Sequence, residues 1–167
     1  WDEGAWWYAA PISAISLNDN CIDFYAGPGE LGQPAEIEMV PETEYVHLIN
    51  QSTTTNDTID FNKFRIDRDW AGRTNFFIIS GEVLNTASTD TFQRNIFDPV
   101  LFSGTVFKEQ LRNYGVDVNN IASGTGIADA SLIAIHTSDS LLYSAYNLMH
   151  ESDNLTAELF TKTMALS

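Results

Sequence analysis

Hydrophobic and polar residues alternate along much of the first hundred residues, and a period near two is typical of half-buried β-strands. Clusters of glycine and proline separate these runs, as in "GPGELGQP", where the chain has to reverse direction. We interpret five runs as strands: "ISAISL", "CIDFYA", "AEIEMV", "YVHLIN" and "FIISGEVL". The pattern therefore predicts a compact β-rich region up to about residue 100.

The period lengthens after Pro99, which indicates a helix in "SGTVFKEQLRNYG". The positions at helical spacing are Val106, Phe107, Gln110, Leu111 and Tyr114. Gly115 is a natural residue to end this helix, because glycine adopts the left-handed conformation found there. A short strand, "VDV", is predicted to follow.

Two further helices are predicted near the end of the sequence. The first has an apolar stripe in "SDSLLYSAYNLMH", with Ser138 as its expected N-cap, and the second lies in "LTAELFTKTMALS". A stretch of small polar residues, "SGTGIADAS", precedes them and is the candidate boundary. The predicted class is α+β, and the sequence reads as a piece of a longer protein.

Composition excludes several classes of function. Eight basic residues against 23 acidic ones give a net charge of −15, which disfavours nucleic acid and anionic membranes as partners. The longest apolar runs are too short for a transmembrane segment. Cys21 is the only cysteine, so it forms no internal disulfide, and its strand setting predicts a buried thiol.

No metal or cofactor site is predicted. The histidines His47, His136 and His150 lack zinc-ligand spacing, and "HESD" has no further oxygen ligands that would converge on a cation. "GTGIAD" lacks the third glycine of a dinucleotide-binding loop.

An aromatic cluster lies near the start of the sequence, at Trp6, Trp7 and Tyr8. Such a cluster can line a sugar-binding surface, or it can pack in a core. Core packing is the favoured interpretation.

The triplet Ser152-Asp153-Asn154 separates the last two predicted helices. These residue types are preferred N-caps, so the triplet alone favours a simple helix start. The functional alternative is that the Ser152 hydroxyl relays a proton and the Asn154 amide holds a peptide substrate in a cleft.

Several segments, in order, resemble the penicillin-binding D-alanyl-D-alanine carboxypeptidases and endopeptidases of the bacterial cell envelope, whose catalytic domain is split by a large insert. The segments that carry the resemblance are "WWYAAPISAISLNDN", "GPGELGQPAEIEMVPETEYVHLINQSTT", "ISGEV", "LRNYGVDV", "HTSDSL" and "MHESDNLTAELFTKTMA". The last is the most specific, because it contains Ser-Asp-Asn followed by Leu, Ala-Glu and a helix.

The resemblance implies an enzyme that works through an acyl-serine intermediate without metal or cofactor. Its nucleophile belongs to a Ser-x-x-Lys motif, its second motif is Ser-x-Asn, and its third is Lys-Thr-Gly. Ser152 and Asn154 match the second motif. The implied partners are peptidoglycan stem peptides, β-lactams and the remainder of the catalytic domain, and the implied location is the periplasm or cell envelope.

The sequence departs from the family in two motifs. Its lysines are Lys63, Lys108 and Lys162, and the residues three positions before them are Asp60, Thr105 and Leu159, so there is no Ser-x-x-Lys. Lys162-Thr163-Met164 imitates the third motif, but Met replaces glycine in a segment with a helical pattern, and we reject it.

We therefore expect residues 1–130 to form a β-rich accessory insert, with a smaller β domain nested near 19–90. Residues 131–167 should be a helical strip of the catalytic domain. This chain should be inactive alone. Two alternatives remain: a non-catalytic module that binds the cell wall or other partners, and a catalytically inactive relative.

Overall fold

The computed structural model describes residues 4–60, 62–122, 124 and 129–165. These residues form eight strands and three α-helices, which confirms the predicted α+β class. The strands are β1 (Cys21–Gly27), β2 (Glu36–Val40), β3 (His47–Asn50), β4 (Thr53–Thr55), β5 (Arg65–Arg68), β6 (Phe76–Ser80), β7 (Glu82–Leu84) and β8 (Asp90–Asn95). The helices are α1 (Pro99–Asn113), α2 (Leu141–Glu151) and α3 (Asn154–Ala165), and short 3-10 helices cover Trp7–Ala9 and Asn18–Asn20.

The strands make three small sheets. An antiparallel sheet has the order β2-β1-β8, and a mixed sheet has the order β3-β6-β5, with β3 parallel and β5 antiparallel to β6. The third sheet is the parallel pair β4-β7. Because β4 follows β3 closely and β7 follows β6, residues 47–55 and 76–84 run side by side in the same direction.

The main core lies where the two three-stranded sheets and α1 contribute buried side chains to one cluster. Phe24 of β1 contacts Phe77 of β6 with ring centroids 5.0 Å apart, and both rings are fully buried. Helix α1 adds Phe102 and Val106 to the same cluster. The alternation on β6 is strict, because Phe77 and Ile79 are buried while Phe76 and Ile78 are exposed.

Helix α1 confirms the predicted helix and begins earlier than its apolar stripe. Asp98 caps its first turn by accepting from the Leu101 backbone N–H at 3.1 Å, and Pro99 follows at the first helical position. At the other end Gly115 has φ +79°, and the backbone N–H groups of residues 115 and 116 donate to the Arg112 and Leu111 carbonyls. This pattern is a Schellman motif.

Helices α2 and α3 confirm the two predicted helices near the end of the chain. The N-cap position of α2 is occupied by Ser140 and not by Ser138, so that prediction was wrong by two residues. None of the residues of α2 is buried within the described chain. Helix α3 buries Leu155.

Two predicted strands are absent from the described residues. "ISAISL" is irregular, because the Asn20 side-chain amide donates to the Pro11 carbonyl at 2.8 Å and to the Ser16 hydroxyl at 3.2 Å. "VDV" is not a strand because the Val116 N–H completes the end of α1. Within the predicted boundary segment, residues 123 and 125–128 lie outside the described part, and the domain limits stay predictions.

Among the described residues, none of the helices is both long enough and apolar enough to cross a membrane.

The contact between Phe24 and Phe77 makes β6 a sensitive test of the core. We expect Phe77→Ala to lower the free energy of unfolding by about 3–5 kcal/mol, because it leaves a cavity between the sheets. Phe76→Ala, on the same strand with its ring 46% exposed, is the matched control and should cost less than about 1 kcal/mol. Chemical denaturation of the two variants measures the difference, and equal losses would contradict this description of the core.

Candidate functional site

The Ser-Asp-Asn triplet forms the tight junction between α2 and α3. Ser152 ends α2 with φ 56°, in the left-handed region, and Asn154 is the first residue of α3. Between them, the Asp153 carboxylate accepts from the backbone N–H groups of Leu155 at 2.9 Å and Thr156 at 3.3 Å. Asp153 therefore provides the helix cap that the triplet predicted, and the side chains of its two neighbours are not used for capping.

Asn154 is exposed and lines a cavity of about 480 Å³ between α3 and the segment of residues 8–12. Its side-chain amide donates to the Tyr8 carbonyl at 3.2 Å, which connects the start of α3 to the early part of the chain. The other lining residues are mainly apolar: Tyr8, Ala9, Ala10, Pro11, Ile12, Leu155, Ala157, Glu158 and Thr161. The cavity thus combines an apolar wall with one amide at its edge, as small-molecule and peptide sites do.

Ser152 has a different position. Its side chain is exposed, and it is not part of the lining of this cavity or of the larger one described next. The structure therefore brings Asn154, but not Ser152, into a concave surface among the described residues.

A second cavity, of about 650 Å³, lies on the other side of the start of α3, and Leu155 lines both cavities. Four carboxylates line it, from Asp19, Asp139, Glu151 and Asp153. Burial raises the pKa of Asp19, and the nearby charges of Asp153 and Asp23 raise it further. This side of the junction is consequently a strongly acidic surface.

Metal binding finds no support in this acidic cavity. His136, Glu151 and Asp153 all line it, yet the described residues contain no group of three or more His, Cys, Asp or Glu side chains that could hold a metal ion.

The residue Cys21 also lines this cavity, and its side chain is fully buried, as predicted. Burial raises its pKa, aided by the nearby charges of Asp19 and Asp23, which favours the protonated thiol.

Strand β8 holds the segment that carries Tyr8. The Arg94 guanidinium lies 5.0 Å from the ring centroid of Trp6, and its Nε donates to the Ile66 carbonyl at 2.7 Å. The neighbouring Asn95 donates its side-chain amide to the carbonyls of Trp6 at 2.8 Å and Ala9 at 3.2 Å. Sequence reasoning missed both residues, because contacts to backbone carbonyls leave no pattern of residue types.

The aromatic cluster corrects one prediction. Trp6, Trp7 and Tyr8 are 45%, 44% and 46% exposed, so packing in a core was the wrong interpretation. Trp6 and Tyr8 are stacked with centroids 6.3 Å apart, and Arg94 covers one ring. Trp7 lines the acidic cavity and Tyr8 lines the apolar one, so the cluster lies between the two.

Residues 1–167 match the family model of the D-Ala-D-Ala carboxypeptidase 3 (S13) family. The chain belongs to this family. The resemblance read from the ordered segments of the sequence is thereby confirmed, and the family is one of D-Ala-D-Ala carboxypeptidases. A search of curated protein sequences found no match.

Two solved structures share the fold. Penicillin binding protein 4 from Haemophilus influenzae aligns over 94% of this chain with a TM-score of 0.65 and 15% identity. The same protein, complexed with a novel β-lactam, aligns over 87% with a TM-score of 0.61 and 16% identity. The aligned region covers 34% and 33% of those two chains, so this S13 chain spans about a third of their length.

In this S13 chain, the segment that imitates a third catalytic motif is helical. Lys162, Thr163 and Met164 all lie within α3, as their sequence pattern predicted. Lys162 contacts Glu158 one turn earlier at 3.7 Å, with both side chains largely exposed. The segment has the geometry of an ordinary helix surface and not of a strand edge that binds substrate.

Proposed function

We propose that this chain supplies the second catalytic motif of a serine-type D-alanyl-D-alanine carboxypeptidase or endopeptidase. Ser152 and Asn154 are its catalytic residues, and the nucleophile lies on a Ser-x-x-Lys motif that this sequence does not contain. The observation that carries the proposal is the position of Asn154, at the edge of the cavity between α3 and residues 8–12. Membership of the S13 family supports it.

The chemistry divides into two steps. In the first, the nucleophilic serine gives its proton to the activating lysine and attacks the peptide carbonyl, the C–N bond breaks, and the Ser152 hydroxyl passes a proton to the departing amine. The Asn154 carboxamide positions the activating lysine and the substrate. In the second, water attacks the acyl-serine ester, and the serine leaves with a proton. No atom changes its oxidation state in either step, so these steps need no redox cofactor.

The local structure supports these roles through rigidity. Asp153 fixes the first turn of α3 through two backbone hydrogen bonds, and Leu155 anchors it in the protein. A functional group held on a fixed helix start loses little freedom when substrate binds. The exposed side chain of Ser152 is compatible with a hydroxyl that meets the rest of the catalytic domain.

The proposal extends to partners and location. The substrates are peptidoglycan stem peptides. In the intact enzyme, β-lactams acylate the nucleophilic serine of the Ser-x-x-Lys motif. The remainder of the catalytic domain packs on residues 131–167. Residues 1–130 are the accessory insert, with the nested β domain near 19–90. The enzyme acts in the periplasm or cell envelope, where its substrate is found.

The absent nucleophile gives the first prediction. The purified 167-residue chain should not become covalently labelled by a fluorescent penicillin, because it has no serine three residues before a lysine. Gel fluorescence measures labelling, with Haemophilus influenzae penicillin binding protein 4 as the positive control. Labelling of this chain that survives denaturation would contradict the assignment.

The second prediction concerns Ser152 in the full-length enzyme. Ser152→Ala should slow acylation by a β-lactam roughly 100-fold or more, because the proton relay is lost. Ser152→Gly removes the same hydroxyl but suits the left-handed backbone at this position, so it should slow acylation equally while not lowering stability. Stopped-flow or gel-based acylation rates and thermal unfolding separate the two effects.

Ser140→Ala is the matched control for that experiment. Ser140 occupies the N-cap position of α2 without a side-chain capping bond, and its change should leave the acylation rate within about twofold. Unchanged acylation rates in both Ser152 variants would contradict the catalytic role of Ser152 and leave the triplet with a structural role alone.

A non-catalytic wall-binding module is the second candidate, and the exposure of Trp6, Trp7 and Tyr8 favours it. Exposed aromatic rings are suited to contact with sugars and other ligands. This candidate predicts that the chain sediments with purified peptidoglycan and that Trp7→Ala weakens retention. Phe76→Ala, which removes an exposed ring elsewhere, is the control. No retention of the unchanged chain would exclude the module.

A further inference from the structure

We propose that Asn95 is a positioning residue for Asn154, acting through the backbone turn that contains Tyr8. This inference rests on the proposed function, since it concerns the orientation of an amide in the Ser-x-Asn motif. It assigns a task to β8 of the β-rich region, whose last residue, Asn95, lies 59 positions before Asn154 in the sequence.

The Asn95 side chain is 2% exposed and its polar atoms all have partners. Its Oδ1 accepts from the Arg68 guanidinium at 2.9 Å. Its Nδ2 faces three carbonyl oxygens, those of Trp6 at 2.8 Å, Ala9 at 3.2 Å and Gly4 at 3.4 Å. An amide has only two N–H groups, so the two shorter contacts are the principal bonds.

Asn95 cannot turn its amide over without losing these bonds. Arg68 has only donors to offer, so it requires the oxygen of Asn95 on its own side and leaves the nitrogen facing the turn. The backbone of Asn95 is fixed as well, because its N–H donates to the Ala5 carbonyl at 2.9 Å and its Cα pairs with Cys21 of β1. The β-rich region therefore fixes the orientation of the Asn95 side-chain amide, whose N–H groups bind the turn at residues 6–9.

The turn passes this constraint to the catalytic motif. Residues 7–9 form a 3-10 helix in which the Ala9 N–H donates to the Trp6 carbonyl at 3.1 Å. The Asn95 amide binds the carbonyls on both sides of this turn, and the Tyr8 carbonyl is one peptide unit before that of Ala9. Consecutive peptide planes share a Cα atom, so fixing one restricts the orientation of the other.

Tyr8 then orients the Asn154 amide. The Tyr8 carbonyl accepts from Asn154 Nδ2 at 3.2 Å, which determines which end of that amide is the nitrogen. The remaining N–H and the oxygen are left for lysine and substrate. A path of hydrogen bonds therefore runs from Arg68 and Asn95 through the 3-10 turn to Asn154.

Asn95→Asp in the full-length enzyme tests the path. The carboxylate keeps its attraction to Arg68 but replaces both N–H donors with an acceptor that faces three carbonyl oxygens. We expect the second-order rate constant of acylation by a penicillin, measured on the folded fraction, to fall roughly 10-fold to 100-fold through misplacement of the Asn154 amide. If Asn95→Asp does not fold, Asn95→Ala removes the donors without adding charge and should give a smaller fall of the same kind.

A double-mutant cycle with Asn154→Ala distinguishes positioning from general damage. If Asn95 acts through Asn154, then Asn95→Asp should change acylation less than about twofold in an Asn154→Ala background, since nothing is left to misplace. Equal effects of Asn95→Asp in both backgrounds would overturn the proposal. So would unchanged acylation in Asn95→Asp on its own.

Asn50→Asp is the matched control. The Asn50 amide also donates to a backbone carbonyl in the β-rich region, that of Ala35 at 2.9 Å, and its side-chain hydrogen bonds go to Ala35 and Ser52 and not to residues 4–9. It should lower thermal stability and leave acylation within about twofold. A fall in acylation equal to that of Asn95→Asp would reduce Asn95 to a structural residue. If Asn154→Ala itself leaves acylation unchanged, the proposed function fails, and the positioning role fails with it.

Discussion

A backbone carbonyl that is removed from water on folding must accept a hydrogen bond from a protein donor. This requirement determines how residues 4–9 are attached to the rest of the molecule. These residues form no extended strand that could satisfy them in a ladder. Strand β8 supplies the donors instead, through the Asn95 backbone and side chain, while Arg94 covers the ring of Trp6. Since Tyr8 in turn contacts Asn154, the same few bonds connect the β-rich region to α3.

In the proposed function, the α2–α3 junction serves structure and chemistry with different members of one triplet. Asp153 makes the helix cap, which leaves Ser152 and Asn154 available for other partners. A cap is a suitable place for functional side chains, because the bonds that start a helix also fix the direction of its first residues. The structural and catalytic interpretations of Ser-Asp-Asn are therefore compatible.

Local patterns predicted the three helices and the strands β1, β2, β3 and β6, and missed β4, β5 and β8. The two predicted strands that are absent lie where hydrogen bonds outside a sheet hold the chain. "CIDFYA" became β1, whereas "FIISGEVL", predicted as one strand, divides at Gly81 into β6 and β7 of different sheets. The alternation of β1 and β6 matches burial in the common core. "ISAISL" has a similar pattern, but it is irregular, and the Asn20 amide donates to the Pro11 carbonyl just before it and to the Ser16 hydroxyl within it. Sequence patterns cannot show such contacts, because a carbonyl is present at every position.

The same limit applies to the candidate site. Ser152 and Asn154 became candidate site residues because several segments resemble one family in the same order. Their residue types alone favoured a simple helix start. Their surroundings were not predictable: the half-exposed aromatic cluster depends on Arg94, and the cavity at Asn154 depends on the path of residues 8–12. Both arise from contacts between segments that are far apart in sequence.

The side-by-side run of residues 47–55 and 76–84 has a consequence for the order of folding. Parallel strands cannot be joined by a tight turn, so β3 and β4 have no partner until β6 and β7 have been synthesised. Until then their backbone edges and apolar side chains stay open to solvent and to other chains. The nascent polypeptide therefore passes through a period of vulnerability to aggregation that a meander of hairpins would avoid.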